Sequence, residues 1–569
     1  MTEGAATGAS QDPPPHGGTL AVAAAQAHGV SAMFTLSGGH VFPLYDAATR
    51  ATPPMRLVDV RHEQSAVFAA EATARLTRSP GLAVLTAGPG VTNGVSAITT
   101  AHFNGSPVVI LGGRAPDYRW GSGSLQEFDH PELLRPITKQ AWTEHETAKV
   151  GTGVAEAFRL ACAPHRGPVF VDIALEALFG PAQPDAVQAA GRTPAAPATA
   201  ATPEAAGDPE AAQRIAGLIA AAQRPVLVLG SDVWAGGAEQ AARAAAEHLR
   251  LPVITNGQGR GLLPAGHELL VTRARSVALR QADLVVVVGT PLDFRLGYGA
   301  FGEDSNTERT AVVHAADSAG QLARHVPLAA SYAGDLASLF ETLASAPAGR
   351  AGPSWATSWL PWLQDAVGAA LAADRALLAS EADPIHPMRI YGELARALDD
   401  DAVIIGDGGD FVSYAGKYLE PRRPGGWLDP GPYGCLGTGL GYAIGARLAR
   451  PSAQVVLLLG DGAAGFSLMD ADTLVRHGLP VVMICGNNGI WGLEKHPMQA
   501  IYGYDVAADL QPQTRYDEVV RVLGGAGELV THPDQIAPAL RRAFDSGVPY
   551  LINVITDPAI AYPRSTSGI

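Results

Sequence analysis

Cysteine is nearly absent: Cys162, Cys435 and Cys485 are the three in 569 residues, and no CxxC pair occurs. That rules against a disulfide framework and a zinc ribbon, and it suits a reducing compartment. Long hydrophobic runs are missing as well. The longest, as in DLVVVVG and QVVLLLG, are strand-sized and far short of a membrane span. Positive charge is scarce, with 40 Lys and Arg against 55 Asp and Glu and a formal net charge of -15. Such a surface repels phosphate backbones and anionic lipid, so no nucleic acid or membrane is expected as a main partner, and an anionic ligand needs a local basic site. The N-terminus MTEGAATGASQDPPPHGG has neither the basic nor the apolar region of a signal peptide. Residues 1–16 are therefore expected to form a disordered tail on a cytoplasmic protein.

What is present is the composition of a soluble globular protein, 47% apolar and 17% charged, in a chain long enough for several domains. Two Pro/Ala-rich stretches divide it, one from Gly180 and a shorter one from Ser345. They leave blocks at 17–180, 212–345 and 375–555, joined by a linker (181–211) and by a linker with a helix (346–374), with a C-terminal segment at 556–569. Each block repeats one rhythm of a Val/Ile/Leu run, a glycine turn and an Ala-rich amphipathic stretch. GLAVLTAGPG, RPVLVLGSD and QVVLLLGDG are examples. Continuous apolar strands alternating with helices predict three doubly wound α/β domains with parallel sheets. Ligands are then expected beyond the carboxyl ends of the strands.

In the third block QVVLLLGDG presents Asp461 after a strand, and the small residues Gly462 and Ala463 let backbone amides approach an anion. LPVVMICGNNG is the next strand and ends in Asn487 and Asn488. Adjacent parallel strands bring Asp461 and Asn488 together across an intervening helix, and a carboxylate with an amide oxygen suits magnesium. A lone GDG would equally be a turn aspartate. GDG followed by NN at this spacing resembles the cofactor signature of thiamine-diphosphate-dependent enzymes, and the three blocks are similar to the pyruvate decarboxylase and acetolactate synthase group. The resemblance implies magnesium held by Asp461, Asn488 and the Ile490 carbonyl. It also implies a cofactor lined by Gly408, Leu436, Gly437, Gly462 and Ala463. Glu63, in VDVRHEQSAVFAAEATARLT, would activate the aminopyrimidine ring of thiamine diphosphate. The family builds its site from two subunits, which implies a homodimer at minimum, and a homotetramer is expected.

The segments TLSGGHVFPLYDA, LTAGPGVTNG, ITNGQGRGLLP and PLDFRLGYG look most like 2-hydroxyacyl-CoA lyases, of the actinobacterial type that cleaves 2-hydroxyisobutyryl-CoA to formyl-CoA and a ketone. On that resemblance Glu494, six residues after Asn488, moves the substrate proton, best from a partly apolar pocket that raises its pKa. His40 and Gln126 bind the substrate oxygen, and Leu125 and Leu493 narrow the acyl pocket. Arg260, Arg295 and Arg564 meet coenzyme A, with the C-terminal segment as a lid and a nucleotide such as ADP in the central block. An acetolactate-synthase-like carboligase, an oxalyl-CoA decarboxylase and a silent cofactor binder remain alternatives. Other chemistries lack support. HEQSA has Ala66 in place of the second histidine of a zinc protease, no GxSxG occurs, and GQGRGL misses the GxGxxG spacing.

Overall fold

The computed structural model describes residues 14–192, 207–302, 310–346 and 354–562. Its strands form three sheets with parallel pairing throughout the described residues. The first holds β1 (Ala32–Thr35), β2 (Arg56–Asp59), β3 (Gly81–Leu85), β4 (Val108–Arg114), β5 (Gln140–Glu144) and β6 (Val169–Ala174), in the order β2-β1-β3-β4-β6-β5. The second holds β7 (Pro225–Leu229), β8 (Val253–Thr255), β9 (Leu284–Val288), β10 (Ala311–Ala316) and β11 (Ala330–Ala333), ordered β11-β10-β9-β7-β8. The third holds β12 (Val403–Asp407), β13 (Trp427–Leu428), β14 (Val455–Gly460), β15 (Val482–Asn487), β16 (Ala526–Val530) and β17 (Tyr550–Ile555), ordered β13-β12-β14-β15-β17-β16. Every residue of β3, β4, β7 and β9 is buried. That is why these strands read as unbroken apolar runs: helices cover both faces.

The first and third domains of the chain pack through two small-residue helices, Glu63–Thr77 and Thr438–Ala449. A Cβ on Gly441 would come within 2.6 Å of the Phe68 Cβ, so the close approach requires glycine there. A polar knot lies inside this contact. The buried Glu71 carboxylate accepts from Tyr442 Oη (2.9 Å), Asn104 Nδ2 (2.8 Å) and Ser106 Oγ (3.0 Å), with Arg75 Nη1 3.7 Å away. Removing Arg75 would leave this buried carboxylate without its counter-ion, a cost of about 3–5 kcal/mol.

Three boundaries differ from the sequence reading. The stretch after Gly180 is not wholly an extended linker: Pro184–Ala190 is a helix, begun by proline at its first position, and Ala190 is buried in the core of the first domain. The helix Trp359–Leu378 starts as part of the central domain, since Trp359, Leu360 and Leu363 complete its core. His16, assigned to the tail, forms a bridge with Pro181 and places its Nε2 3.1 Å from Asp46. Residues 1–13 of that tail, most of the remaining linker and Arg564 of the C-terminal segment lie outside the described residues.

Candidate active site

The carboxyl ends of β14 and β15 are neighbours, with Gly460 paired to Gly486. Asp461 opens the Asp461–Ser467 helix there and is only 4% exposed. Its carboxylate accepts from the Gly489 amide at 2.6 Å and the Gly462 amide at 2.9 Å, yet burial still pushes its pKa up to about 6. A buried carboxylate held up in this way favours a cation beside it. Asn488 stands just past the end of β15, its Oδ1 accepting from the Ile490 amide at 3.1 Å. Its neighbour Asn487 is structural, donating to Thr514 O and Asn553 Oδ1 from inside the core. The Trp491 ring lies against Gly462, where a side chain would collide with it. At the end of β12, Gly408 takes φ +103°, and a Cβ there would meet Ala463 at 3.1 Å. The residues therefore fit a divalent cation with a diphosphate: one carboxylate, one amide oxygen, and backbone bare of side chains.

Asp407, which the sequence reading passed over, anchors this end. It is buried, accepts from the amides of Gly437 (3.1 Å) and Gly439 (2.8 Å), and is pushed up to about 7 by burial. It thereby fixes the start of the Thr438–Ala449 helix, and with it Leu436 and Gly437. The cue was present in GDGG, where an acidic residue follows an apolar run.

The first domain gathers its polar residues at the matching sheet end. Glu63 follows β2 at the start of its helix, is 7% exposed, and accepts from Asn93 Nδ2 at 3.0 Å. Asn93 closes the short Pro89–Asn93 helix, whose N-cap Gly88 takes φ +61°. A Cβ on Gly88 would come 2.8 Å from the Gln126 Cβ, so Gln126 packs directly on this turn, itself at φ +62°. His40 Nδ1 lies 3.4 Å from Thr86 Oγ1 in the same turn. Burial pushes the His40 pKa below its ordinary 6.5, so its ring is neutral at pH 7. The structure thus brings Glu63, His40 and Gln126 around one glycine turn.

Glu494 departs from expectation. It sits in the first turn of the Gly492–Tyr502 helix with its side chain exposed, so the single chain supplies no apolar pocket around it. It does not pair with Lys495, whose ammonium is engaged by Asp505 and Asp509. The helix starts where the Gly489 turn and Trp491 direct it, and that geometry turns the first-turn carboxylate outward. Leu493 packs on Gly409 beside the cofactor turn, whereas Leu125 is 78% exposed.

Arg260 and Arg295 lie in loops after β8 and β9. Arg260 Nη1 is 3.2 Å from Glu420 and stacks over Trp427, while Arg295 is bound to Asp293. Between them stands Arg275, unremarked in the sequence, which donates to the Arg295 carbonyl and has no carboxylate partner among the described residues. Burial first, then Arg260 and Arg295, lower its pKa to about 10. A nucleotide such as ADP was expected in the central domain, yet the ends of its β7 and β10 carry Asp232 and Asp317 around His165, at 3.9 and 3.0 Å. Two carboxylates suit hydroxyl or amine groups better than phosphate.

Glu63 and Asp461 share no hydrogen bond among the described residues. No described helix is long and apolar enough to cross a membrane. Residues 15–133, 212–343 and 407–554 match the N-terminal TPP binding, central, and C-terminal TPP binding domains of "Thiamine pyrophosphate enzyme". "Acetolactate synthase large subunit IlvG" of Mycobacterium tuberculosis is 48% identical over 97% of this chain and 98% of its own length. "Probable acetolactate synthase" of Mycobacterium bovis is equally similar. "2-hydroxyacyl-CoA lyase 2" of Homo sapiens is 34% identical over 95% of this chain and 90% of its own.

Proposed function

The chain belongs to the thiamine pyrophosphate enzyme family, and within it we propose a lyase that cleaves a short 2-hydroxyacyl-CoA, such as 2-hydroxyisobutyryl-CoA, to formyl-CoA and a ketone or aldehyde, reversibly. The observation that carries the acyl-CoA part is Arg275. Its half-buried guanidinium is repelled by Arg260 and Arg295 and has no carboxylate within salt-bridge distance among the described residues, Asp293 acting only from farther off, and a phosphate would supply a direct partner. Arg260, against Glu420 and Trp427, adjoins the carboxyl end of the Asp410–Tyr418 helix, which begins beside Gly409. Nine residues of helix span about 13 Å, a distance that the pantetheine arm of coenzyme A bridges. A free 2-oxoacid has no use for three arginines so far from the chemistry.

Thiamine diphosphate, when bound, supplies a carbanion that adds to a carbonyl and then takes up the electron pair of the broken carbon–carbon bond. Asp461, Asn488 and the Ile490 carbonyl would hold magnesium against the diphosphate, and Leu436 would support the bend of the cofactor. Glu63, fixed by Asn93, exchanges a proton with the ring nitrogen of the aminopyrimidine. His40, neutral, and Gln126 bind the substrate oxygen. Glu494 removes the proton of the substrate hydroxyl and returns it to the carbon of the leaving formyl group. A second copy of the chain closes over this carboxylate and supplies the Glu63 that faces Asp461. Exposed Phe466 and Met469, beside the metal end, and exposed Leu125 and Phe128, beside Gln126, offer apolar surface for it.

The 48% relatives named acetolactate synthase favour a second reading, condensation of two 2-oxoacids on the same cofactor. One incubation separates the two. Purified protein with thiamine diphosphate and magnesium is given 2-hydroxyisobutyryl-CoA or pyruvate in parallel. Acetone with formyl-CoA is expected from the first. Acetolactate from the second, without cleavage of this or other 2-hydroxyacyl-CoA esters, overturns the lyase reading.

A further inference from the structure

His130 follows Gln126 by four residues and is fully buried, with Phe128 and Phe170 rings against it. Nothing in its spacing marks it, and packing alone would be served by an apolar side chain. Instead both ring nitrogens are committed. Nε2 lies 2.9 Å from the Gly88 amide, and Nδ1 lies 3.0 and 3.2 Å from the two oxygens of Asp172 on β6. An amide N–H only donates, so Nε2 must accept, and the proton must sit on Nδ1 and point at Asp172. One neutral tautomer satisfies both contacts. Asp172 is itself buried and lies 3.3 Å from Arg114 Nη1, whose guanidinium stacks 3.5 Å over the Trp120 ring.

The atom so held is the amide of the turn that serves the proton-handling side of the site. Gly88 adopts φ +61° and ψ -116°, a backbone shape open to glycine, and the next residue, Pro89, has no N–H of its own. From this turn Thr86 reaches His40, Asn93 reaches Glu63, and Gln126 packs on the Gly88 α-carbon. A shift of one peptide plane would therefore displace the partners of all three. We propose that His130, oriented by Asp172, is a positioning residue that locks the Gly88 turn and so keeps Glu63, His40 and Gln126 in register. The proposal rests on the family-level role of Glu63 and is independent of the acyl-CoA reading.

Two near-isosteric variants separate the bonds. His130→Gln places an amide oxygen where Nε2 stands and keeps an acceptor for Gly88. His130→Asn keeps a donor for Asp172 and abandons Gly88. Amide hydrogen exchange of residues 86–94 is read in the cofactor-free protein. Exchange of the thiazolium C2 proton with solvent deuterium, kcat and KM are read in the holoenzyme, and melting temperature in both. His130→Gln is expected within about threefold of the parent in every rate. His130→Asn is expected to exchange faster across 86–94 and to lose at least tenfold in C2 exchange and kcat, with KM and melting temperature matching the Gln variant. Equal losses in both variants, or losses that track melting temperature, overturn the proposal. Should either variant not fold, Asp172→Asn removes the charge that orients the ring: faster exchange confined to 86–94 supports the proposal and unchanged exchange overturns it. A Glu63→Gln control with unaltered C2 exchange would instead overturn the role of Glu63. The amide-exchange contrast would then still decide the case of His130.

Discussion

The first and third sheets share one strand order, β2-β1-β3-β4-β6-β5 and β13-β12-β14-β15-β17-β16, and differ in what stands at their carboxyl ends. β3 and β14 occupy the same place. After β3 comes a glycine turn that organises Glu63, His40 and Gln126 through hydrogen bonds and packing. After β14 comes Asp461, a buried carboxylate held by two amides with its pKa raised to about 6. On the proposed function, one scaffold would thus carry a proton-handling end and a metal-holding end. The difference lies in a few loop residues, as expected where function sits on loops placed by a rigid sheet.

The comparison is broken most severely at the metal end. Asp461→Ala should abolish magnesium-dependent binding of thiamine diphosphate, so that adding both no longer raises the melting temperature and turnover falls to background. At the proton end Glu63→Gln should bind the cofactor within a few-fold of the parent yet lose about 10³-fold in kcat, the range of a lost proton-transfer group. Isothermal titration alongside steady-state kinetics would show whether binding and turnover separate in this way. Glu494→Ala should cost 10- to 100-fold in carbon–carbon cleavage and leave cofactor affinity alone, about the range of a lost general acid–base whose cofactor is still activated by Glu63. The mildest effect is one of pH. On the proposed ligand set magnesium would bind the carboxylate form of Asp461, so protonation through a pKa of about 6 would compete with the ion. Below that pH, affinity should fall about tenfold per unit as one proton is taken up on metal release, and it should be flat above pH 7. Magnesium titrations at pH 5, 6 and 7.5 would reveal that slope.

The two ends were unequally legible in the sequence, and the reason is geometric. Asp461 and Asn488 sit at the ends of sequential, adjacent strands, so their separation in sequence is one crossover, built here from the two short helices Asp461–Ser467 and Ala471–Arg476, and the pair shows as a spacing. The apolar runs disclosed the three sheets for the same reason, since both-face burial is written into each strand. Residues at the other end come from positions 40, 63, 88, 93, 126, 130 and 172, across five strands, and no spacing connects them. Glu63 could be recognised only through the resemblance. His130 and Asp172 were invisible because a buried histidine and a strand aspartate acquire meaning from their partners. Arg275 was hidden likewise: its significance is its place beside Arg260 and Arg295 without a directly paired carboxylate among the described residues, which only packing reveals. Glu494 lies on the helix expected for it, and the pocket expected around it is not formed by one chain, because the surface that would cover it belongs to another.

The division of labour between the two sheet ends is tested most directly by mixing two inactive proteins. Glu63→Gln and Asp461→Ala chains, unfolded together in equal amounts and refolded with cofactor and magnesium, form mixed dimers in which one of two sites has both residues intact. The account predicts recovery of roughly a quarter of the parent activity, since half the dimers are mixed and half of their sites are whole. No recovery, from mixed dimers shown to have formed, would contradict it and place both residues in a site built by a single chain.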